Sequence, residues 1–365
     1  MVAALELSKR YSTTLLARHL PSANDPPRVE AVPASLLALM LDYGIHPGQL
    51  GVDRLHDSHL MAWEQDEFTE SRGPVAAHVE RPALDLALLD AVLISGRINI
   101  KPDQPAMSFT TAIQAARNNE LRLIDATGRG AVTARQRIRS AQPWAARTFL
   151  TLRESCPAST ELRIAGLPAG FVYRLGSAKY IVLGIVGRGQ TMTCDPVQVE
   201  QYFYQHGAGR LLDGLPSIAD MQPSIVSAAS VQWTSGEWGL RVGDAALARD
   251  ILSSQGLAAG ISDALYAAAI RSDDDETLLS ARQAEQRAEH LRSLGNSIAR
   301  CRFREDRAWQ EYAEFVAGHT NHGETDLSVA LTAGRITTTR SLMMPEEHVG
   351  FDIGANRISW GQTCK

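Results

Sequence analysis

The stretch from Gly239 to Ala258 constrains this chain more than any other. Gly239 to Val242 reads as a strand returning to an α/β layer, and Gly243-Asp244-Ala245-Ala246 follows it at once. Asp250 comes next, then Ser253-Ser254-Gln255-Gly256, where a long helix is predicted to begin. Small residues at the end of a strand let a ligand approach the backbone. An acid beside them accepts from a hydroxyl. A glycine turn that opens a helix aims unsatisfied N–H groups back at the same point. Such a place suits a polyol chain and a delocalised anion, although taken alone the string also fits an ordinary αβ turn.

The rest of the chain supplies an alternating frame for that turn. Val2–Arg10 reads as the end of a helix, Thr13–Ala17 as a buried strand, and Ser35–Leu41 as an apolar helix ending near Gly44. Pro82 opens a helix over 83–92, because proline is tolerated in the first turn. A helix at 111–117 and a strand at 121–125 lead into Ala126-Thr127-Gly128-Arg129. Between Pro143 and Trp238 the pattern turns β-rich, and Phe171–Leu183 is its clearest hairpin, turning at Gly176-Ser177. After Ser272 and its run of acids, two helices are predicted at 276–294 and 298–317. The expected fold class is α/β: a Rossmann-like nucleotide-binding domain (1–45, 79–141, 239–271), an inserted, mainly antiparallel β-sheet substrate domain (46–78, 142–238), and a helical C-terminal region (272–365).

Charge and cysteine usage narrow the function classes. A net charge of −5 and a pI of 6.1 argue against nucleic acid as partner. No apolar run approaches the roughly 20 residues that span a bilayer. The start lacks the charged and apolar regions of a signal peptide, so a cytoplasmic protein is expected. Cys156, Cys194, Cys301 and Cys364 form no CxxC pair, and no metal site is expected.

The string at 243–256 resembles the C-terminal flavin fingerprint (GDAA…P…GQG) of FAD-dependent monooxygenases of the aromatic-hydroxylase type. Its Ser-Ser-Gln-Gly ending is more narrowly similar to the tryptophan-halogenase-like branch. Three further blocks of that branch occur in order: Pro27–Pro33 (PRVEAVP), Val79–Asp85 (VERPALD) and Asp125–Arg129 (DATGR). The resemblance implies FAD bound across the α/β domain. Gly243 and Asp244 would hold the ribityl chain, and Asp250, Ser253, Ser254, Gln255 and Gly256 would shape the turn and helix end facing the flavin pyrimidine. Arg81 would lie near the ribose or phosphates, Arg28 and Glu30 along the isoalloxazine edge, and Asp125 and Gly128 in the remaining cofactor turn. Two features depart from the pattern. No glycine precedes Gly44, so the GxGxxG loop and its strand are expected upstream of Met1, and Arg18 stands where an acid for the adenosine ribose is usual.

Halogenases of the branch direct hypohalous acid with a lysine and a glutamate. This chain has no lysine between Lys9 and Lys101, and Ser253 stands at the glutamate position. Gln232–Trp238 does not match the family's WxWxIP string. RVEAVP, HVERP and SSQG together most resemble flavoproteins that mature tryptophylquinone enzymes, such as quinohemoprotein amine dehydrogenase and lysine or glycine oxidases. These hydroxylate a tryptophan within a partner protein through a flavin C4a-hydroperoxide. The resemblance thus implies a protein substrate, with NAD(P)H or a flavin reductase as electron donor. A small-molecule aromatic hydroxylase or halogenase, and a flavin-less scaffold, are the alternatives. His56, His59 and Trp63 form a polar, aromatic stretch suited to a pocket wall, with the two histidines as catalytic candidates. Tyr173 and Arg174 on the hairpin are substrate-facing candidates, and Tyr202, Phe203 and Tyr204 read as packing.

Overall fold

The computed structural model describes residues 1–103, 106–118, 120–140, 144–188, 195–235, 240–253, 255–271 and 273–320. Pro143, Trp238, Gly239, Ser254 and Ser272, used above, lie outside the described residues, as does the C-terminal region from 321 to 365. The strands are β1 (Thr13–Leu16), β2 (Val29–Pro33), β3 (Leu55–Ala62), β4 (Thr69–Glu80), β5 (Ile98–Lys101), β6 (Ile124–Asp125) and β7 (Gln136–Arg139). They continue with β8 (Ala145–Leu152), β9 (Arg163–Leu167), β10 (Gly170–Gly176), β11 (Tyr180–Gly187), β12 (Gln222–Ala228), β13 (Gln232–Ser235) and β14 (Leu240–Arg241).

The α/β layer holds two parallel pairs, β1 with β5 and β6 with β14. One helix, Gly256–Ala269, serves both. Ile261 and Ala264 pack in a core with Val2, Leu5, Leu84, Leu88 and Val92, while Ala267 joins Leu240, Val242 and Ile270. Small residues on this helix let the first helix, Val2–Ser8, lie close against it. Helix Arg81–Ser95 starts with Pro82 in its first turn and stops at Gly96, whose φ of 60° terminates it in the left-handed region.

The second layer is one eight-stranded sheet, ordered β12-β8-β11-β10-β9-β3-β4-β2. All its pairings are antiparallel except β3 with β9. The predicted hairpin is β10–β11, and the Ser177 hydroxyl accepts from the N–H groups of Lys179 and Tyr180 to close it. Strand β11 is buried from Ile181 to Gly187, so both faces of the sheet are covered and its sequence is a continuous apolar run. Val172, Leu183 and Ile185 pack on one face with Phe203 and Leu211, under helix Pro196–Gln205. Residues 29–33, grouped by sequence with the α/β segments, form the edge strand β2 of this sheet instead. The register Val29↔Glu80 to Pro33↔Ala76 puts their alternating apolar side chains against β4.

Two helices close the described chain, Asp273–Arg300 and Arg307–Thr320. The break falls after Arg300 rather than after Leu294 as expected. Gly295 lies inside the first helix and faces Val316 of the second, whose side chain would stand 3.5 Å from an added Cβ, an ordinary contact. Tryptophans fasten this pair to the sheet: Trp309 Nε1 donates to the Leu167 carbonyl at 2.8 Å, and Trp63 Nε1 to that of Ser297 at 2.8 Å. Among the described residues no helix is long and apolar enough to cross a membrane.

Candidate functional site

A cavity of about 670 Å³ lies between the α/β layer and the face of the large sheet opposite helix Pro196–Gln205, within the usual range for small-molecule and cofactor sites. One wall is built from the sequence blocks singled out above, contributed by the α/β layer and by the β2 edge of the large sheet. Arg28, Glu30, Arg81, Gly128, Gly243, Asp244, Asp250 and Gly256 all line it. Its other wall is apolar sheet, with Ile164, Phe171, Tyr173, Leu175 and Val182, relieved by the hydroxyls of Thr148, Ser224 and Ser227.

Gly243 makes the turn that starts this site. Its φ of 57° and ψ of −138° fall where side chains clash with the backbone, so glycine is required. Its Cα lies against Gly260, where an added Cβ would stand 3.2 Å away. This contact brings the end of β14 onto the first turns of helix Gly256–Ala269, and Gly256, Leu257 and Gly260 face the cavity. The amides of that first turn carry the positive end of the helix dipole. Met1, Val2 and Ala3 line the same space, so the first helix also opens onto it.

Charge around the turn is arranged in arginine–acid pairs. Asp244 is 43% exposed, with the Arg129 guanidinium 3.9 Å from its carboxylate. Partial burial pushes the Asp244 carboxyl up, and Arg129, Arg81 and Arg249 pull it back. Arg129 is fixed by donating to the Ser230 carbonyl at 2.8 Å and the Arg249 carbonyl at 3.3 Å. Arg81 bridges Glu30 at 3.3 Å and Asp85 at 2.8 Å, and its N–H donates to the Arg28 carbonyl at 2.8 Å. The PRVEAVP and VERPALD blocks meet because β2 begins where the antiparallel β4 ends, Val29 opposite Glu80.

Several expected residues serve elsewhere. Asp125 is 2% exposed, and its two oxygens accept four hydrogen bonds from the N–H and hydroxyl groups of Thr127 and Thr133, at 2.7–2.9 Å. It clasps the turn that presents Gly128 and does not itself line the cavity. Gln255 caps helix Gly256–Ala269 but stays outside the lining, Ser253 ends the short turn Ile251–Ser253, and Ser254 lies outside the described residues.

Neither His56 nor His59 reaches the cavity. His56 stacks on His78 at 4.3 Å, and His59 Nε2 contacts the Met61 sulfur at 3.0 Å. Trp63 sits in the aromatic core. Of the hairpin pair, Tyr173 faces the cavity, while Arg174 is fully buried on the other face and donates to the Leu211 and Asp213 carbonyls, each at 2.8 Å. Phe203 is packing, whereas Tyr204 is exposed.

Sequence reasoning missed Asp263 and His290. Asp263, 1% exposed, accepts from the Gly243 N–H and lies near Arg249 and Arg282. Burial raises its carboxyl to about 6. Its signal was an acid on the glycine-bearing face, three residues after Gly260. His290 has no such local signal, because its partner Asp250 is 40 positions away in sequence.

The lining fits a flavin dinucleotide by its chemistry. A helix N-terminus suits the anionic end of a reduced flavin, a half-exposed carboxylate suits ribityl hydroxyls, and Gly128, with open space where a Cβ would be, permits close backbone approach. Among the described residues no group of three or more His, Cys, Asp or Glu is placed to hold a metal ion.

No protein-family model matches the chain, and no curated protein does. Solved structures match its fold. The peptidyl tryptophan dihydroxylase QhpG, essential for tryptophylquinone cofactor biogenesis, superposes with a TM-score of 0.63 at 15% identity, over 85% of this chain and 75% of its own. The flavin-dependent halogenase CmlS gives 0.62 at 18% identity, over 91% and 69%. The myxobacterial chondrochloren halogenase CndH, an FAD-dependent halogenase, gives 0.64 at 14% identity, over 93% and 88%. The likeness suggested by the four sequence blocks and the likeness of the whole backbone therefore agree. This chain has the fold shared by FAD-dependent halogenases and monooxygenases.

Proposed function

We propose that the chain binds FAD in this cavity and hydroxylates the indole of a tryptophan in a partner protein. The observation that carries the reading is convergence: four sequence blocks spread over residues 27–256 line or support one cavity whose opposite wall is apolar. When bound, the flavin would supply oxygen activation, and the protein's part would be orientation, charge and dryness. Helix Gly256–Ala269 would stabilise negative charge at the ring, and Asp244 would accept from the ribityl hydroxyls. Arg81, steered by Glu30 and Asp85, would meet the ribose or phosphates. Phe171, Ile164 and Leu162 offer an apolar bed for a flat aromatic ring, and Tyr173 and Thr148 offer hydroxyl partners at its edge.

Among the described lining residues there is no lysine, and this favours hydroxylation over hypohalous acid chemistry in this reading. The backbone likeness to a peptidyl tryptophan dihydroxylase supports a polypeptide as substrate. An electron donor, NAD(P)H or a separate reductase, belongs to the same proposal.

The test is direct. The chain is titrated with FAD and followed by absorption. The flavin-loaded protein is then reduced and mixed with air and a tryptophan-bearing polypeptide, with free tryptophan and indole in parallel. Oxygen added to the peptidyl indole is the expected outcome. Efficient turnover of free indole with none of the polypeptide would refute the protein substrate, and absence of flavin binding would refute the cofactor.

A further inference from the structure

The cavity opens where the large sheet ends. Of the described residues that line it, only Arg28, Ala126, Ser227 and Ala228 are exposed. Ala126 marks the α/β side, on the turn after β6. The other three share one rim, because the Ser224 hydroxyl of β12 donates to the Pro27 carbonyl at 3.0 Å and holds the segment before β2 against β12. Val29 at the start of β2 packs with Leu150, Leu175 and Val182 of β8, β10 and β11. The two edge strands of the sheet, β2 and β12, therefore curl toward each other around the cavity.

Strand β12 pairs with β8 on one side, and no described strand pairs with its outer side. Such an edge is a row of N–H and C=O groups that invites another chain, and proteins usually guard it. Here the guard stops halfway. Pro223 has no N–H to offer, and the register shifts between Pro223 and Val226, so the first half of the strand is blocked. From Val226 to Ala228 the pairing is regular, Val226 with Arg147 through Ala228 with Ala145, and Ser227 and Ala228 are exposed, small and uncharged. Ser227 lies opposite Ala146, and both line the cavity. Residues directly opposite across strands share a face, and neighbours along a strand alternate. A strand added outside β12 would thus send the residue opposite Ser227 into the cavity and turn its two neighbours away. Arg28 gives the same rim a positive charge. It is exposed and has no ion pair among the described residues, whereas Arg81 and Arg129 are both held by acids.

We propose that the outer edge of β12 from Val226 to Ala228 docks an extended segment of the partner polypeptide, which adds as a further strand, sends its tryptophan into the cavity opposite Ser227 and sets an acidic residue against Arg28. The inference rests on the hydroxylation of a peptidyl tryptophan proposed above, and it states how that substrate is held. Main-chain hydrogen bonds along the edge supply affinity for any extended backbone, and the alternation of side chains sorts one residue inward. Only the tryptophan side chain has to enter the cavity, while the rest of the partner stays outside. Free tryptophan and indole have no backbone to lay along β12, so this edge favours a polypeptide over either.

The experiment uses the full chain loaded with FAD and kept oxidised, so that binding is read without turnover. The probe is a synthetic valine- and threonine-rich peptide with one central tryptophan and one glutamate, tagged for fluorescence anisotropy. Its backbone nitrogens are methylated one residue at a time, which removes a donor and blocks close approach of a second strand. Strand addition at one edge is expected to cost affinity about tenfold or more at every second residue and to leave it within about twofold between them. Hydrogen exchange at the amides of 226–228 is expected to slow in the complex. Arg28→Glu is expected to weaken the peptide about tenfold and to recover binding when lysine replaces the peptide's glutamate. A methylation effect that is uniform or absent, unchanged exchange at 226–228, or no binding of the parent peptide would overturn the proposal. The complex is then reduced and mixed with oxygen. Alternating loss of binding without oxygen on the indole would sink the hydroxylation reading and leave the edge as a peptide-binding site. Hydroxylation of the peptide without the alternating pattern would sink the docking edge and leave the hydroxylation reading intact.

Discussion

Gly243 and Gly260 touch backbone to backbone: a Cβ added to either would come within 3.2 Å of the other's Cα. This contact sets the spacing between the Gly243 turn and the cavity-facing helix. Gly260→Ala tests it. Alanine favours the helix by about 1 kcal/mol, while its methyl group pushes the turn outward by a few tenths of an ångström. Thermal stability is therefore expected to change little, but FAD affinity is expected to fall about tenfold, read by flavin fluorescence quenching. Gly243→Ala is more severe, since its φ of 57° adds backbone strain of about 1–3 kcal/mol.

The stacked pair His56 and His78 gives the fold an acid sensitivity. Burial, with smaller repulsive contributions, lowers both from 6.5 to about 4. The carbonyl of Gly176 accepts from His78 Nδ1–H at 2.9 Å, which suits the neutral ring. Between pH 6.5 and about 4 the unfolded chain takes up protons that the folded chain refuses. This stability is fully present above pH 6.5 and is lost as pH falls through that window. For His78, 2% exposed, the loss is on the order of 2–3 kcal/mol. Thermal melts from pH 7.5 down to about 4.5 are expected to show a falling midpoint, and His56→Phe, which keeps the stack, is expected to make that fall shallower. A midpoint independent of pH would contradict the burial argument.

Tyr173 and Gly184 are direct partners across β10 and β11. The tyrosine ring lies over the glycine, so that a Cβ at Gly184 would overlap the ring. Gly184→Ala thus drives the ring off the sheet and into the cavity. Under the proposed function the expected result is a narrower cavity: turnover of a peptidyl indole falls about tenfold while FAD affinity stays within about twofold. Restoration of turnover in Gly184→Ala/Tyr173→Leu would assign the loss to the displaced ring.

The fold was legible where local chemistry and periodicity agreed. The Phe171–Leu183 hairpin, Pro82 in a helical first turn and the helix start at Gly256 all follow from turn residues and apolar spacing. One wall of the cavity was legible for the same reason, because Gly243, Asp244, Gly256 and Arg81 belong to short strings that the fold brings to one cavity. What stayed hidden depends on distant pairing. His56 was a catalytic candidate as a histidine in a polar, aromatic stretch suited to a pocket wall, but β3 places its ring on His78 of β4. Asp125 looked like a ligand, yet two threonines occupy its oxygens. The apolar sheet wall of the cavity comes from alternate positions of strands buried on both faces, where a sequence cannot say which side points to the cavity.

Trp309 ties the C-terminal helices to the large sheet and supplies the last prediction. It is 1% exposed, meets Trp63 at 5.6 Å and Trp144 at 4.6 Å edge to face, and its indole N–H satisfies the Leu167 carbonyl at 2.8 Å. Trp309→Ala removes that packing and is expected to cost about 3–5 kcal/mol. Trp309→Phe keeps most of the ring contact but leaves the Leu167 carbonyl without its donor, at about 1–3 kcal/mol. Urea unfolding followed by circular dichroism reads both values. Trp309 is not among the residues that line the main cavity, so FAD affinity of the phenylalanine variant is expected to stay within about twofold. Equal costs for the two variants would mean that the hydrogen bond to Leu167, rather than aromatic packing, holds the C-terminal helices on the sheet.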